Sequence, residues 1–319
     1  MSEYVDIGRV EFAVTYRCNS RCRHCCVEME KRRAEPAVID RHLAVDIIHS
    51  VCEVYRPSSL MAFGGEPLVY PELVCALHRA AATTGIPRRE IITNAGIPRS
   101  EGPARDVAFQ LAESGVNYIS ISVDVFHQEH IPLTVVERNV RYYHEAGITD
   151  LAWNPCWVVS TQDDNEYNKR TNEVLSALRQ LPVKTGSGNL LQPDGRARES
   201  LTSYLPARVP TPGGSCEDAP FGVKLDSIDC ITVVPSGDIV ICSEWSIGNA
   251  ADEGIVEILE RYNPRCIPEA AAILDGGIAA LIELCRARGI EPESDGYYSI
   301  CDMCTSLRLA DTKKRSVLR

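Results

Sequence analysis

Cysteine is the residue type in this 319-residue chain whose spacing suggests chemistry, and three of its 14 cysteines lie in one short segment. Cys18, Cys22 and Cys25 follow directly after the first apolar run, Val10–Val14. Thiolates are the ligands that hold iron–sulfur clusters in proteins. Three thiolates from one loop can hold three corners of a four-iron cluster. The fourth iron then stays open to bind a small molecule and pass it an electron.

A zinc site is the alternative for the same loop, because three clustered cysteines with His24 or Cys26 as the fourth ligand also make a tetrahedral set. The next apolar run favours the cluster. Leu60–Phe63 is followed directly by Gly64, Gly65, Glu66 and Pro67. Two glycines let the main chain approach a ligand with no side chain in the way. The Glu66 carboxylate can accept hydrogen bonds from an ammonium group, and Pro67 fixes the turn.

A three-cysteine loop after one strand and Gly-Gly-Glu-Pro after the next resembles the radical S-adenosylmethionine (SAM) enzymes. The resemblance implies that the open iron of a [4Fe–4S] cluster chelates the amino and carboxylate groups of SAM, and that the glycine motif contacts the amino group. It also implies reductive cleavage of SAM to a 5′-deoxyadenosyl radical, which abstracts a hydrogen atom from the substrate. An external one-electron reductant of the flavodoxin or ferredoxin type is then expected.

Composition restricts the partners of the chain. The net charge of −11 argues against nucleic acid as a partner and mildly favours neutral or cationic substrates. We expect no membrane segment, because no apolar stretch is long enough, and the first residues lack the features of a signal peptide. With 14 cysteines and no export signal, metal ligation in a reducing cytoplasm is a better account than disulfides.

The order of elements predicts an α/β fold. Strand-like and helical runs alternate from about residue 9 to residue 197, in six repeats that indicate a parallel sheet. The first helix is marked by Leu43, Ile47, Val51 and Tyr55 on one face, with Asp40 as its N-cap. The last two runs are Leu151–Val159 and Asn189–Gln192. The resemblance implies a partial (β/α)6 TIM-like barrel, which we assign to residues 1–204.

One predicted strand has a polar face. Ile119, Ile121 and Val123 alternate with Ser120, Ser122 and Asp124. A parallel strand that is buried on both faces is almost wholly apolar, so the polar face predicts a wet lumen that holds a ligand. Serines bonded only to neighbouring backbone are the alternative. The resemblance implies that Ser122 and Asp124 contact polar groups of SAM. It offers Asn94 as a further contact and places the turn 195–197 near the adenine.

A second cysteine set follows a Pro- and Gly-rich stretch, residues 205–214, that predicts a change of domain. Runs on either side of residues 235–238 predict a β-hairpin, and four cysteines accompany it: Cys216, Cys242, Cys301 and Cys304. This pattern resembles a Twitch domain, the short form of the SPASM extension. Four residues separate Gly237 from Cys242, and a Cys-x2-Cys pair follows later. The resemblance implies an auxiliary [4Fe–4S] cluster on these four thiolates, in a small β-hairpin/helix domain over residues 205–306, with a tail over 307–319.

Two alternatives stay open for this second set. Zinc can occupy the same four thiolates. Cys230 competes with Cys216 as the first ligand, although its place within the first hairpin strand, close to Gly237, favours Cys216.

The motifs also resemble the peptide-epimerising radical SAM enzymes of epipeptide biosynthesis. The similarity lies in His24-Cys25-Cys26, in Ser122, Asp124 and His127, and in the segment 299–307. In those enzymes a cysteine directly after the hairpin cysteine donates a hydrogen atom to the substrate radical. Here that position is Ser243, whose O–H bond is too strong for the task. Simple epimerisation by that route is therefore in doubt.

Two fates remain for a substrate radical. A different thiol can quench it, and Cys230 is the nearest in sequence to the hairpin. Alternatively, the radical loses an electron to the auxiliary cluster and a proton to a base, for which Glu244 and His127 are the candidates. We expect the substrate to be a ribosomally made peptide that is epimerised, oxidised or cross-linked. The alternatives are dehydrogenation or epimerisation of a carbinol carbon in an aminocyclitol or sugar, and a non-catalytic iron–sulfur scaffold.

Overall fold

The computed structural model describes residues 2–214, 216, 219, 222–242 and 245–317, with side chains up to Asp311. The chain folds into two compact units. The larger unit comprises Gly8–Leu205 and Thr232–Asp238, and the smaller comprises Met1–Ile7, Pro206–Ile231 and Ile239–Arg319.

The larger unit is built on a parallel sheet. Its strands in chain order are β1 (Val5–Thr15), β2 (Ser59–Gly64), β3 (Arg88–Thr93), β4 (Tyr118–Ile121), β5 (Leu151–Trp153), β6 (Cys156–Trp157), β7 (Lys184–Thr185) and β8 (Asn189–Leu190). The order across the main sheet is β1-β2-β3-β4-β5-β7, and every pairing is parallel. Strands β6 and β8 pair separately with each other. Six parallel strands with helices between them confirm the predicted partial TIM-like barrel.

Helices accompany these strands, and some of them begin at a residue whose side chain caps the helix. They are α1 (Arg41–Val54), α2 (Pro71–Thr83), α3 (Glu101–Glu113), α4 (Val125–Gln128), α5 (Leu133–Glu145), α6 (Glu166–Ala177) and α7 (Ala197–Ser200). The Asp40 side chain accepts a hydrogen bond of 2.9 Å from the backbone N–H of Leu43, which confirms the predicted N-cap. Asn165 caps α6 in the same way.

The last two predicted strands were placed wrongly. The run Leu151–Val159 is divided into β5 and β6, because Pro155 has no N–H to give to a ladder and interrupts the strand. The run Asn189–Gln192 supplies only β8, which pairs with β6 outside the main sheet. The sixth strand of the main sheet is instead β7, whose two residues pair with Ala152 and Trp153. A strand of two exposed residues carries no hydrophobic pattern that a sequence could reveal.

The alternation predicted around β4 is present. Ile119, Ile121 and Val123 are fully buried, whereas Ser120 and Ser122 are half-buried on the other face. The regular strand ends at Ile121, earlier than predicted. Ser122 and the buried Asp124 therefore lie in the segment that leads from β4 into α4.

The smaller unit contains most of both strands of the predicted hairpin, whose turn within Thr232–Asp238 is assigned to the larger unit, and three helices among the described residues. Its strands are β9 (Ile228–Val233), β10 (Asp238–Cys242) and β11 (Trp245–Asn249), in the order β11-β10-β9, and its helices are α8 (Ile255–Arg261), α9 (Pro268–Ala287) and α10 (Ile300–Val317). Helix α9 is kinked at Gly276 and Gly277. It packs with α10 around Leu281, Cys285 and Met303. None of the helices in the described part of the chain is long and apolar enough to cross a membrane.

A histidine is enclosed in the core of the larger unit. His78 lies on α2 with none of its surface exposed, and neither ring nitrogen has a hydrogen-bond partner among the described residues. Burial lowers the pKa of His78 to about 3, because the charged imidazolium cannot be solvated there. His78 is therefore neutral in the folded protein at any pH above that value.

We expect His78 to make folding stability fall as the pH falls below about 6.5. The unfolded imidazole then binds a proton that the folded one cannot bind, so this contribution costs up to about 1.4 kcal/mol per pH unit until the pH reaches the folded pKa. The free energy of unfolding, measured with denaturant between pH 7 and pH 4, should decline less steeply with falling pH for His78→Leu than for the parent chain. The exposed His49 on α1 offers the matched change, and His49→Leu should leave the decline unaltered. Equal slopes for the parent and His78→Leu would contradict the account.

Candidate functional site

The cysteine loop is joined to the end of β2 by main-chain hydrogen bonds. The N–H of Gly65 donates to the carbonyl of Thr15 over 2.6 Å, and the N–H of Glu66 donates to that of Arg17 over 2.9 Å. A Cβ atom at Gly64 would lie 2.3 Å from the Thr15 oxygen, and one at Gly65 would lie 2.3 Å from the Arg17 oxygen. Gly64 also has φ +135°, which disfavours any other residue. The two glycines are thus required by the protein's own packing.

Glu66 connects the ends of β2 and β3. Its carboxylate is almost fully buried and accepts hydrogen bonds from Thr93 Oγ1 (2.8 Å), from the N–H of Asn94 (2.8 Å) and from the N–H of Leu68 (3.0 Å). Burial raises the pKa of Glu66, although these donors act in the opposite direction. The contact of Glu66 with an ammonium group stays a prediction, since three donors of the protein already bind its oxygens. Pro67 is buried and begins a short 3-10 turn.

The three loop cysteines differ in their surroundings. Cys22 is buried, whereas Cys18 and Cys25 are half-buried. Burial raises the pKa of the Cys18 thiol to about 11 and that of the Cys22 thiol to about 12. Cys22 Sγ shares a hydrogen bond of 3.0 Å with Ser20 Oγ. Without a metal these two thiols are protonated at neutral pH, so the binding of iron must displace protons from them.

Two arginines hold the main chain of the loop. Arg32 donates to the carbonyl of Ser20 (2.7 Å) and to Cys25 Sγ (3.0 Å). The backbone N–H of Arg196 donates to the Cys25 carbonyl (3.0 Å), and its side chain donates to the Cys22 carbonyl (3.2 Å). Gly195 has φ +50° and packs directly on the carbonyl of Cys25. The turn 195–197, expected near an adenine, therefore lies against the cysteine loop.

Asn94 lies at the same place, at the end of β3. Its Nδ2 donates to Asn19 Oδ1 over 2.8 Å and lies 3.8 Å from Cys18 Sγ. Asn139 on α5 holds the segment after Asn94 by donating to the Ala95 carbonyl over 2.9 Å. The structure thus brings Asn94 to the first cysteine of the loop, and its predicted contact with SAM stays a prediction.

Asp124 is a helix cap and also orients a histidine. Its Oδ1 accepts from the N–H groups of Phe126 (2.9 Å) and His127 (3.0 Å), and lies 2.9 Å from His127 Nδ1. Its Oδ2 accepts from the N–H of Cys156 (2.9 Å). Burial alone would raise the pKa of Asp124, but His127 and these donors hold it well below its usual value. Burial lowers the pKa of His127, but Asp124 raises it more, so the net shift is upward.

A second imidazole lies beside His127. The ring of His24 is 4.8 Å from that of His127 and 4.8 Å from that of Phe126, and burial lowers the pKa of His24 to about 4. One potential ligand atom from each of Cys22, His24 and His127 lies within 4.8 Å of the others. Over the described residues, this is the one group of three or more such ligands with that spacing. The positions of these residues along the chain did not indicate this cluster.

The second cysteine set lines one cavity in the smaller unit. Cys216, Cys242, Cys301 and Cys304 surround about 450 Å³ of space, part of it open to solvent, together with Trp245 and Arg308. Burial, with smaller contributions from the other three cysteines, raises the pKa of the Cys242 thiol to about 12, although the charge of Arg308 acts in the opposite direction. Cys230, on β9, is not one of the described residues that line this cavity.

The remaining predicted residues have different outcomes. Ser122 is half-buried, and its N–H donates to the Thr93 carbonyl over 2.8 Å, at the carboxyl end of the sheet. Cys230 is half-buried. Ser243 and Glu244 lie outside the described residues, so both predictions about them stand on the sequence alone.

Fold and site define an α/β protein with a three-cysteine loop at the carboxyl end of its first strand. The model of the radical SAM superfamily matches residues 12–172, half of the chain. The chain therefore belongs to the radical SAM superfamily. Its members use SAM and a [4Fe–4S] cluster and need a reductant and a substrate.

Sequence relatives share part of the chain. The GTP 3′,8-cyclase of Moorella thermoacetica is 28% identical over 211 residues, which are 63% of this chain and 61% of that protein. That of Lactiplantibacillus plantarum is 32% identical over 120 residues, 37% of this chain and 33% of the relative. The chain thus spans less than two thirds of the curated relatives that it matches.

Solved structures share the fold. The structure named "Native anSMEcpe with bound AdoMet" has a TM-score of 0.52 and 12% identity, with 80% of each chain covered. A histidine-tagged form of anSMEcpe, also with bound AdoMet, has a TM-score of 0.55 and 12% identity, covering 98% of this chain and 94% of that one. Both support the α/β radical SAM fold.

We expect Gly65→Ala to damage the larger unit and its cysteine loop together, because the new Cβ atom would overlap the Arg17 carbonyl. The cost in unfolding free energy should be about 1–3 kcal/mol, and the iron bound per chain after reconstitution should fall. Gly102→Ala on α3 is the matched control, since a Cβ atom there meets nothing within 4 Å. It should be neutral or stabilising by about 0.5–1 kcal/mol. Normal stability and iron content in Gly65→Ala would overturn the proposed role of the junction.

Proposed function

We propose that Cys18, Cys22 and Cys25 hold the SAM-binding [4Fe–4S] cluster and that the chain modifies its substrate by hydrogen-atom abstraction. The junction of the Gly64–Gly65 segment with the cysteine loop is the observation that carries this proposal. It brings the three thiols to the carboxyl ends of the strands, where ligands of parallel α/β sheets bind.

The residues around this loop have separate tasks in the proposal. Gly64, Gly65 and Pro67 shape the main chain that contacts the amino group of SAM, and Glu66 and Asn94 fix the ends of β2 and β3 below it. Ser122, half-buried at the end of β4, offers its hydroxyl to polar groups of SAM. Asp124 acts through His127, because its carboxylate lies 2.9 Å from Nδ1 and orients the ring. When bound, the cluster supplies the electron that cleaves SAM.

We further propose an auxiliary [4Fe–4S] cluster on Cys216, Cys242, Cys301 and Cys304, in a Twitch-like domain over residues 205–306. Their arrangement around one cavity supports the four together, and Cys230 is outside the described lining of that cavity. An auxiliary cluster would give the chain an internal electron acceptor or donor, which a pure hydrogen-transfer reaction does not need.

The substrate that we propose is a ribosomally made peptide. The support is the set of motif residues shared with the peptide-epimerising enzymes, because His24, Asp124 and His127 come together beside the cysteine loop rather than only matching in sequence. With Ser243 in place of a hydrogen-donating cysteine, we propose oxidation or cross-linking, with Glu244 or His127 taking the proton. Quenching by Cys230, which would give epimerisation, is the competing fate of the substrate radical.

A nucleotide is the second candidate substrate. The sequence relatives named above are GTP 3′,8-cyclases, and their similarity reaches 63% of this chain. Their name makes GTP the compound to compare directly with a peptide. A carbinol carbon of an aminocyclitol or sugar is the third class to include.

Turnover in deuterated water distinguishes these possibilities. The reconstituted enzyme, with SAM and a one-electron reductant, should form 5′-deoxyadenosine faster with a peptide encoded beside its gene than with GTP or an aminocyclitol. A product two mass units lighter would indicate oxidation, and one deuterium per modified residue would indicate quenching by a thiol. Cys18→Ala should abolish SAM cleavage, while Cys52→Ala, on α1 and outside both cysteine sets, should retain it.

The fate of the radical can be assigned by two further variants. Glu244→Gln should slow product formation if oxidation is the reaction, whereas Cys230→Ser should do so if a thiol quenches the radical. Faster SAM cleavage with GTP than with peptide would overturn the peptide assignment. Absence of SAM cleavage under reduction with every substrate, in protein whose clusters are intact, would refute the enzymatic proposal.

A further inference from the structure

An arginine contacts a sulfur atom in the first cysteine set. Arg32 Nη2 lies 3.0 Å from Cys25 Sγ, and Nη1 of the same side chain donates to the Ser20 carbonyl over 2.7 Å. The second bond fixes the orientation of the guanidinium, so its N–H is directed at the sulfur. Arg32 is half-buried, which limits the screening of its charge by water.

An arginine has the corresponding position in the second set. Arg308 lies one helical turn after Cys304 on α10, lines the cavity of the four cysteines, and has its guanidinium 4.3 Å from the ring centre of Trp245. Its positive charge lies among the four thiols that line this cavity and lowers the pKa of Cys304 and of Cys242, although burial raises both more strongly. Trp245, which also lines the cavity, holds this cation by a cation–π contact.

We infer that Arg32 and Arg308 set the reduction potentials of the two clusters, Arg32 by a charged hydrogen bond to Cys25 and Arg308 by its positive charge in the lining of the four-cysteine cavity. This inference rests on the ligand sets proposed above. A four-iron cluster takes up one electron when its core goes from the 2+ to the 1+ state, so the reduced form carries one more negative charge with the same thiolate ligands. A guanidinium at a ligand sulfur stabilises the reduced form more than the oxidised form and raises the potential. These arginines are positioning residues, since neither needs to touch the substrate.

The consequence differs between the two sites. At the SAM-binding cluster, a higher potential makes reduction by an external protein easier. At the auxiliary cluster, it makes the cluster a better electron acceptor, which suits oxidation of the substrate more than a reaction without net electron transfer. Arg308 therefore favours oxidation of the substrate radical over its quenching by a thiol, the two fates that remain because residue 243 is a serine.

The test measures potentials in full-length chains that keep one cluster each. Cys18→Ala/Cys22→Ala/Cys25→Ala leaves the auxiliary site, and Cys216→Ala/Cys242→Ala/Cys301→Ala/Cys304→Ala leaves the SAM site. In redox titrations followed by electron paramagnetic resonance, Arg308→Gln should lower the equilibrium constant for reduction of the auxiliary cluster about tenfold, which is a shift of about 59 mV to more negative potential. Arg32→Gln should do the same for the other cluster. Each change should leave the opposite cluster unaltered.

Arg56→Gln is the control, because the exposed Arg56 donates only to backbone carbonyl groups, those of Cys52 and Tyr55. It should shift neither potential. Unchanged potentials in Arg32→Gln and Arg308→Gln, with full iron content, would overturn the inference and leave the ligand assignment intact. If a glutamine variant loses its cluster, the methionine variant decides, because it is also neutral and of similar length. The same shift to more negative potential is then expected, and an unchanged potential would overturn the inference. A parent chain without iron would instead refute the ligand assignment itself.

Discussion

The close approach of two main-chain segments, Gly64–Gly65 and Thr15–Arg17, is the constraint on which the rest of the site depends. At this junction the carbonyl groups of the cysteine loop occupy the space where side chains of the next strand would lie. Hydrogen bonds of 2.6 and 2.9 Å then fix the start of the loop against the sheet. The start of the cysteine loop is therefore positioned by the parallel sheet, and the three thiols follow directly after it.

Buried carboxylates complete this arrangement from within. Glu66 ties the end of β2 to the end of β3, and Asp124 ties the start of α4 to His127 and to Cys156. Both carboxylates are almost fully buried, and a buried carboxylate destabilises the fold unless hydrogen-bond donors of the protein bind its oxygens. Their effect on a ligand is indirect, through the backbone and the imidazole that they hold. The positive charges near the cysteine sulfur atoms come from Arg32 in the larger unit and Arg308 in the smaller one.

Much of this could be predicted from the sequence, because the signals were local. The cysteine spacing, the Gly-Gly-Glu-Pro segment, the Asp40 cap and the alternation around Ile121 each follow from a few adjacent residues. The division at Pro155 and the short strand β7 were missed, since their pairing is decided by distant segments. The same reason hid the internal roles of Glu66 and Asp124: a motif shows that a carboxylate is needed without showing which donors will reach it. Arg32 and Arg308 had no signal at all, because contact with a sulfur depends on the tertiary fold.

Mössbauer spectroscopy of the chain reconstituted with iron-57, recorded before and after addition of SAM, tests the central claim most directly. If the junction presents a cluster held by three thiolates only, one iron subsite should change its isomer shift when SAM binds, and the change should vanish in Cys22→Ala. Spectra in which no iron subsite responds to SAM, or zinc at the loop in place of iron, would contradict the account.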